Sequence, residues 1–208
     1  MTDIYVVRHG NTFDKGDVVT RVGARTDLAL SQSGATQAKA LADHFSNEVS
    51  GGFSKAYCSA LVRTRQTVEA ILDRFDHAPE LEVLDFLREV DYGPDENRPE
   101  EEVIARIGVE ALSLWESQAV PPPGWRIDPD FIKQQWQALF RQIASKENDQ
   151  APVLVVTSNG IARFALQAAA AGSARIDTIK LSTGAFGRFN IDNDGNAQVR
   201  EWNIRPGQ

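Results

Sequence analysis

The chain has 208 residues, of which 42% are apolar and 25% charged, the profile of one globular domain with a real core and not of a disordered chain. Its formal charge of -7, with no block of lysines and arginines, argues against a nucleic-acid surface or an anionic membrane as partner. A single cysteine, Cys58, leaves no disulfide framework. No apolar run approaches the roughly 20 residues of a membrane span. The start, Met1-Thr2-Asp3-Ile4, lacks the basic and apolar regions of a signal peptide, so a cytoplasmic protein is expected.

In chain order, Ile4-Tyr5-Val6-Val7 reads as a short strand that ends at Arg8-His9-Gly10. Ser31 can cap a helix with Ala35, Ala38, Leu41, Ala42 and Phe45 at helical spacing. Ala56-Tyr57-Cys58 reads as a strand entering a helix that carries Leu61, Val68, Ile71, Leu72 and Phe75 on one side. Leu81 to Leu84 is a further strand, followed by Phe86-Leu87-Arg88-Glu89.

Pro99 and three glutamates open a helix that runs to Ser117, and Val120-Pro121-Pro122-Pro123-Gly124 must break it. Asp128-Pro129 then caps and starts a helix through Ile132, Trp136, Leu139 and Ile143. Val153 to Val156 is β-branched and apolar on both faces, as a central parallel strand should be. A helix follows Thr157-Ser158-Asn159-Gly160 and stops near Gly172. Two strands, Ala185 to Ile191 and Val199 to Ile204, flank an Asp192-Asn193-Asp194-Gly195 turn as an antiparallel hairpin. This alternation gives an α/β domain spanning residues 1–208, with 94–130 as an insertion over the sheet.

The polar residues fall at strand ends: Arg8-His9-Gly10-Asn11-Thr12, Ser59 leading to Arg63, the segment into Glu89, and Thr157-Ser158-Asn159-Gly160. Ligands of open α/β sheets bind at the carboxyl ends of strands, so these clusters can meet in one pocket. A pocket of that content suits phosphoryl transfer. Two guanidiniums match a phosphate dianion and favour neutral, nucleophilic imidazole. Glu89 can give a proton to the leaving oxygen and later take one from water. Gly10 would let the backbone approach the anion. No metal or other cofactor is required.

Val7-Arg8-His9-Gly10-Asn11-Thr12 resembles the Arg-His-Gly signature of the histidine phosphatase superfamily, in its phosphoglycerate-mutase-like branch. Four further segments resemble that branch in its own order: Asp27 to Ala38, Cys58 to Thr67, Leu87 to Gly93, and a stretch near 153–164. The resemblance implies a three-layer α/β/α sandwich with a mostly parallel central sheet. It implies His9 as the phosphorylated nucleophile, Glu89 as proton donor, and Arg8, Arg63 and Asn11 as phosphate ligands. Where the family has a second histidine before a glycine, this chain has Ser158-Asn159-Gly160. The ungapped alignment gives that place to Ser158, and a one-residue gap would give it to Asn159; both are neutral donors.

The expected activity is a metal-independent phosphatase acting on a small phosphorylated metabolite. The alternatives are a weak or inactive relative that binds a phosphorylated ligand as sensor or scaffold, and a phosphomutase. For Arg21 and Arg25, in the loop from Phe13 to Thr26, contact with a second anionic group is the alternative to the preferred reading as solvated charges; Arg65 is expected as a solvated charge, and His44 and His77 as surface histidines. The tryptophans Trp115, Trp125 and Trp136 are expected in packing.

Overall fold

A computed structural model describes residues 1–145, 151–170 and 176–207. Six strands form one sheet in the order β3-β2-β4-β1-β5-β6. They are β1 (Thr2–Arg8), β2 (Lys55–Cys58), β3 (Leu81–Val83), β4 (Val153–Thr157), β5 (Phe186–Ile191) and β6 (Ala197–Ile204). The first four run parallel, and β5 and β6 add an antiparallel hairpin at the edge beyond β1. Every residue of β4 is buried, which the continuous Val153-Leu154-Val155-Val156 run requires of a strand covered on both faces.

Strand alternation sorts the core into two layers. Tyr5, Val7, Ala56, Cys58, Leu154 and Val156 face one side, with Leu41, Ala42, Phe45, Val68 and Ile71. Those partners come from α1 (Gln32–Glu48) and α2 (Val62–Leu72). Ile4, Val6, Tyr57, Val153 and Val155 face the other side, with Trp115, Trp136, Phe140 and Phe164. Here the cover is α3 (Glu100–Gln118), α4 (Pro129–Ala144) and α5 (Asn159–Ala168). The protein is thus a sheet between two helical layers, as expected.

The helix starts follow their caps. Ser31 accepts from Gly34 N, and Asp128 accepts from Phe131 N with Pro129 in the first turn. Some expectations need correction. Ala35 is exposed, and Gly34 takes the buried position. α2 closes at Leu72, so Phe75 lies beyond it. α3 bends at Gly108, whose φ of 81° is open to glycine without the Cβ penalty. α5 ends at Ala168, four residues before the expected stop; Gly172 itself lies outside the described residues. His44 is half-buried, stacked 5.1 Å from the Phe186 ring, where a loose surface histidine was expected. No helix among the described residues is long and apolar enough to cross a membrane.

Register places the chemistry. Parallel pairing of β1 with β4 sets Arg8 opposite Thr157, and β2 pairs Cys58 with Val156 on the other side of β4. The carboxyl ends of β1, β4 and β2 therefore open side by side.

Candidate active site

His9 continues β1, where its N–H donates to Thr157 O at 3.1 Å. It is only 6% exposed. Its Nδ1 lies 2.7 Å from Gly10 O. A carbonyl can only accept, so Nδ1 carries the proton and the Nε2 lone pair is free. Arg63 Nε donates to that lone pair at 3.2 Å. Burial first, then the Arg63 and Arg8 guanidiniums, hold the imidazole pKa far below its ordinary value. His9 is therefore a neutral imidazole with a fixed tautomer, its Nε2 lone pair turned toward Arg63.

Arg63 is fully buried in the first turn of α2. Its Nη1 donates to Thr26 O at 2.8 Å and its Nη2 to Gly23 O at 3.2 Å. Those carbonyls fix the guanidinium plane beside His9. Thr67 ties this helix to β1, accepting from Gly10 N and donating to Arg63 O. Arg8 Nη1 donates to Leu181 O at 2.9 Å, while its Nε is buried without a partner. Burial pulls the pKa of both arginines down, opposed by the charge of Glu89. Gly10 also serves backbone packing against α1, since a Cβ there would lie 2.3 Å from Gly34 O.

Glu89 is 6% exposed. Its carboxylate accepts from Val90 N at 2.9 Å and from Gly160 N at 3.3 Å. Burial raises its pKa against the opposing pull of those N–H groups and of Arg63 and Arg8. A buried carboxyl with a raised pKa keeps its proton longer than an ordinary one, as a general acid must. Thr157 Oγ1 donates to Leu87 O at 2.6 Å, locking the Glu89 segment to the end of β4.

These groups meet at a cleft of about 450 Å³ whose wall includes Arg8, His9, Asn11, Glu89 and Asn159. Arg63 stands behind His9. Asn11 is held by its N–H on Gln37 Oε1 (2.8 Å) and its Nδ2 on Ser33 Oγ (3.1 Å).

The structure places Ser158 and Asn159 differently, and Ser158 is not among the residues that line the cleft. Ser158 is fully buried, its Oγ has no hydrogen-bond partner, and it makes no capping bond to α5. Asn159 is the residue that reaches the cleft. Its Oδ1 accepts from Leu181 N at 2.8 Å, which leaves the Nδ2 donors without a protein acceptor among the described residues. Leu181 thereby holds both Asn159 and Arg8, one through its N–H and one through its C=O.

Two residues were missed from sequence. Arg21 is not solvated: its side chain is 12% exposed and lines the cleft. Gly160 is the second; a Cβ there would lie 2.1 Å from Glu89 Oε1. Arg25 does remain exposed, pairing with Asp91, and Arg65 and His77 are exposed as expected.

A profile of the histidine phosphatase superfamily (branch 1) matches residues 4–205. The chain belongs to that superfamily. A curated relative, the 2,3-bisphosphoglycerate-dependent phosphoglycerate mutase of Rhizobium etli (strain CIAT 652), is 33% identical over 106 residues. That match spans half of this chain and half of the relative. Among solved structures, mycobacterial glucosyl-3-phosphoglycerate phosphatase superposes with a TM-score of 0.77 at 18% identity, covering 99% of this chain and all of that one. Phosphoserine phosphatase of Entamoeba histolytica gives 0.72 at 18%, covering 98% of each chain. The α-ribazole phosphatase of Shigella flexneri gives 0.71 at 18%, covering 98% of this chain and 97% of that one. At these identities the superpositions establish the shared fold.

Proposed function

We propose that this protein is a metal-independent phosphatase of small phosphomonoesters, working through a phosphohistidine on His9. The observation that carries the reading is the His9 tautomer: Nδ1–H is tied to Gly10 O, so Nε2 presents its lone pair beside Arg63. Substrate phosphate draws the Arg63 Nε–H from Nε2 onto a phosphoryl oxygen, which frees the nucleophile as the anion arrives. Nε2 then attacks phosphorus and the ester P–O bond breaks, with the Glu89 proton passing to the leaving alkoxide. Glu89, now ionised, takes a proton from water. The hydroxide displaces His9 from phosphorus, releasing inorganic phosphate and restoring neutral imidazole.

Arg8 and Arg63 supply the two positive charges that a phosphoryl dianion needs. Asn159 stands in for the absent second histidine, giving neutral Nδ2 donors where the family uses an imidazole. The missing charge lowers the rate without removing the nucleophile or the acid. A slow phosphatase is the result.

The test is a rapid quench at alkaline pH, since a phosphoramidate is lost in acid, followed by peptide mass analysis. Phosphate on His9 that appears and decays at the turnover rate is expected, unchanged by chelators. Label on Ser158 or Thr157, or a need for added divalent metal, refutes the mechanism. Binding of phosphate with no label and no turnover would favour the sensor or scaffold reading, and label transferred to a second position of the substrate would favour a mutase.

A further inference from the structure

We infer that the cleft holds a second anion-binding position at Arg21, and that the phosphoester it takes carries a carboxylate on its leaving alcohol. The inference rests on the phosphomonoesterase reading for where the phosphate sits, but not for turnover. Its basis is an ion pair that is only half made.

Arg21 lines the same cleft as Arg8 and His9. Its side chain is 12% exposed, yet only one of its guanidinium nitrogens is bonded: Nη2 donates to Glu100 Oε2 at 2.5 Å. Nε is buried without a partner, and Nη1 makes no hydrogen bond among the described residues. An arginine fork pairs best with a carboxylate through two parallel N–H···O bonds. Glu100 accepts one of the two. Its side chain is 55% exposed, so water can solvate the carboxylate when it lets go. A ligand carboxylate that takes both Nε and Nη2 improves on this arrangement, because it fills a buried donor that now stands empty.

The guanidinium is also held in place. Its carbon stands 5.3 Å from the Tyr92 ring centroid and 5.1 Å from that of Trp125. Trp125 in turn donates from Nε1 to the buried Asp95 carboxylate at 2.6 Å. The backbone is clamped to the segment before α3, since Arg21 N donates to Arg98 O and Asn97 N donates to Arg21 O. None of these contacts uses a guanidinium N–H. The group is therefore positioned without being satisfied, and a ligand that meets it loses little to ordering.

The rest of the wall tolerates an anion. Lys180 lines the cleft, exposed and in no ion pair among the described residues. Glu116 lines it too, but Arg163 Nη2 stands 3.6 Å from Glu116 Oε2. Glu89 enters the proposed reaction with its proton. Tyr92 connects the two positions: its ring touches Arg21, and its hydroxyl lies in the field of Arg8 as well as of Arg21. A ligand whose phosphate meets Arg8 and His9 thus reaches Arg21 past Tyr92. A cleft of about 450 Å³ has room for a short carbon chain between the two anions.

The test is calorimetric binding to the His9→Ala protein, which cannot turn ligands over. Two matched pairs of different length are used: 3-phosphoglycerate against glycerol 3-phosphate, and 6-phosphogluconate against sorbitol 6-phosphate. The carboxylate member of at least one pair should bind on the order of tenfold tighter. Adding Glu100→Gln, which weakens the competing pair, should widen that preference severalfold and leave the neutral ester within about twofold. Adding Arg21→Met should abolish both the preference and the gain from Glu100→Gln, which separates pairing at Arg21 from the general field of the wall. Arg21→Lys keeps the charge but loses the fork, should retain only part of the preference, and decides the matter if the methionine variant does not fold. No preference for either carboxylate ester, no binding of any ester, a preference undiminished by Arg21→Met or Arg21→Lys, or a Glu100→Gln gain that persists without Arg21 overturns the inference. Turnover by wild-type protein is scored separately. Carboxylate preference without His9-dependent turnover rejects the phosphatase reading and leaves this inference standing, whereas His9-dependent turnover without the preference does the reverse.

Discussion

Replacing Gly160 with alanine should separate folding from catalysis. A Cβ at this position would lie 2.1 Å from Glu89 Oε1, 2.9 Å from Val90 Cγ2 and 3.1 Å from Glu89 Cδ, where ordinary contact begins at 3.4 Å. The nearest obstacle is the far end of a flexible side chain, so the clash is relieved by pushing the carboxylate back by more than 1 Å. Little is lost in stability. Alanine favours the helix by up to about 1 kcal/mol, which offsets part of the strain, and a net change within about 1 kcal/mol moves Tm by roughly 2–4 °C at this chain length. The acid, however, leaves its station. A displacement of that size costs on the order of 100-fold in rate. The assay compares kcat/KM on an alkyl phosphate, whose alkoxide must be protonated as it leaves, with p-nitrophenyl phosphate, whose phenolate need not be. The alkyl ester should lose about 100-fold and the aryl ester less than about tenfold. Equal losses on the two esters, or no loss at all, would refute the placement of Glu89 as the acid.

Raised Glu89 and depressed His9 pKa values set the pH profile. Activity needs Glu89 protonated and His9 neutral, so kcat/KM should hold at acid pH and fall on the basic limb as Glu89 ionises; Glu89→Gln should abolish that limb, and an unchanged limb would assign it elsewhere. Ser158→Ala removes a buried hydroxyl that has no partner, so it should leave turnover within about twofold and raise stability by about 1 kcal/mol. Asn159→Ala should lower kcat/KM on the order of 100-fold, the lower end of what loss of one transition-state donor costs, and the opposite ranking of the two variants would restore Ser158 to the site. His9 also carries a stability signature. The unfolded chain takes up a proton near pH 6.5 that the folded site refuses, so stability is lost as pH falls below that value, by at most about 1.4 kcal/mol per unit. Urea titrations of His9→Gln against wild type between pH 6.5 and 5 should show the variant gaining by that slope, and parallel curves would contradict a neutral buried His9.

How much of this was legible in the sequence follows from how local each cause is. β1 and β4 could be read because their apolar runs are continuous and end abruptly at polar residues, and the caps at Ser31 and Asp128 are set by neighbours three residues away. Arg8, His9, Arg63 and Glu89 were legible as a set because each lies at or beyond the carboxyl end of a strand, and the parallel order of β3, β2, β4 and β1 then brings those ends together. Three other features depend on side chains distant in sequence. The pinning of Arg21 needs Tyr92, Glu100 and Trp125, and no short-range pattern announces a ring stacked from seventy residues away. Gly10 is required by Gly34, and Gly160 by Glu89, through approaches that only the assembled sheet creates. The choice between Ser158 and Asn159 was the hardest, because adjacent residues at a strand-to-helix turn point in different directions and the alignment cannot see which. The bond from Leu181 N to Asn159 Oδ1 orients the Asn159 carboxamide. That bond uses the acceptor end of the carboxamide and leaves the donor end for an anion, while Ser158 Oγ is sealed in the interior. Under the proposed mechanism, the substitution that looks in sequence like the loss of a catalytic group becomes the exchange of a cationic donor for a neutral one on Asn159, and the Asn159→Ala and Ser158→Ala variants test it.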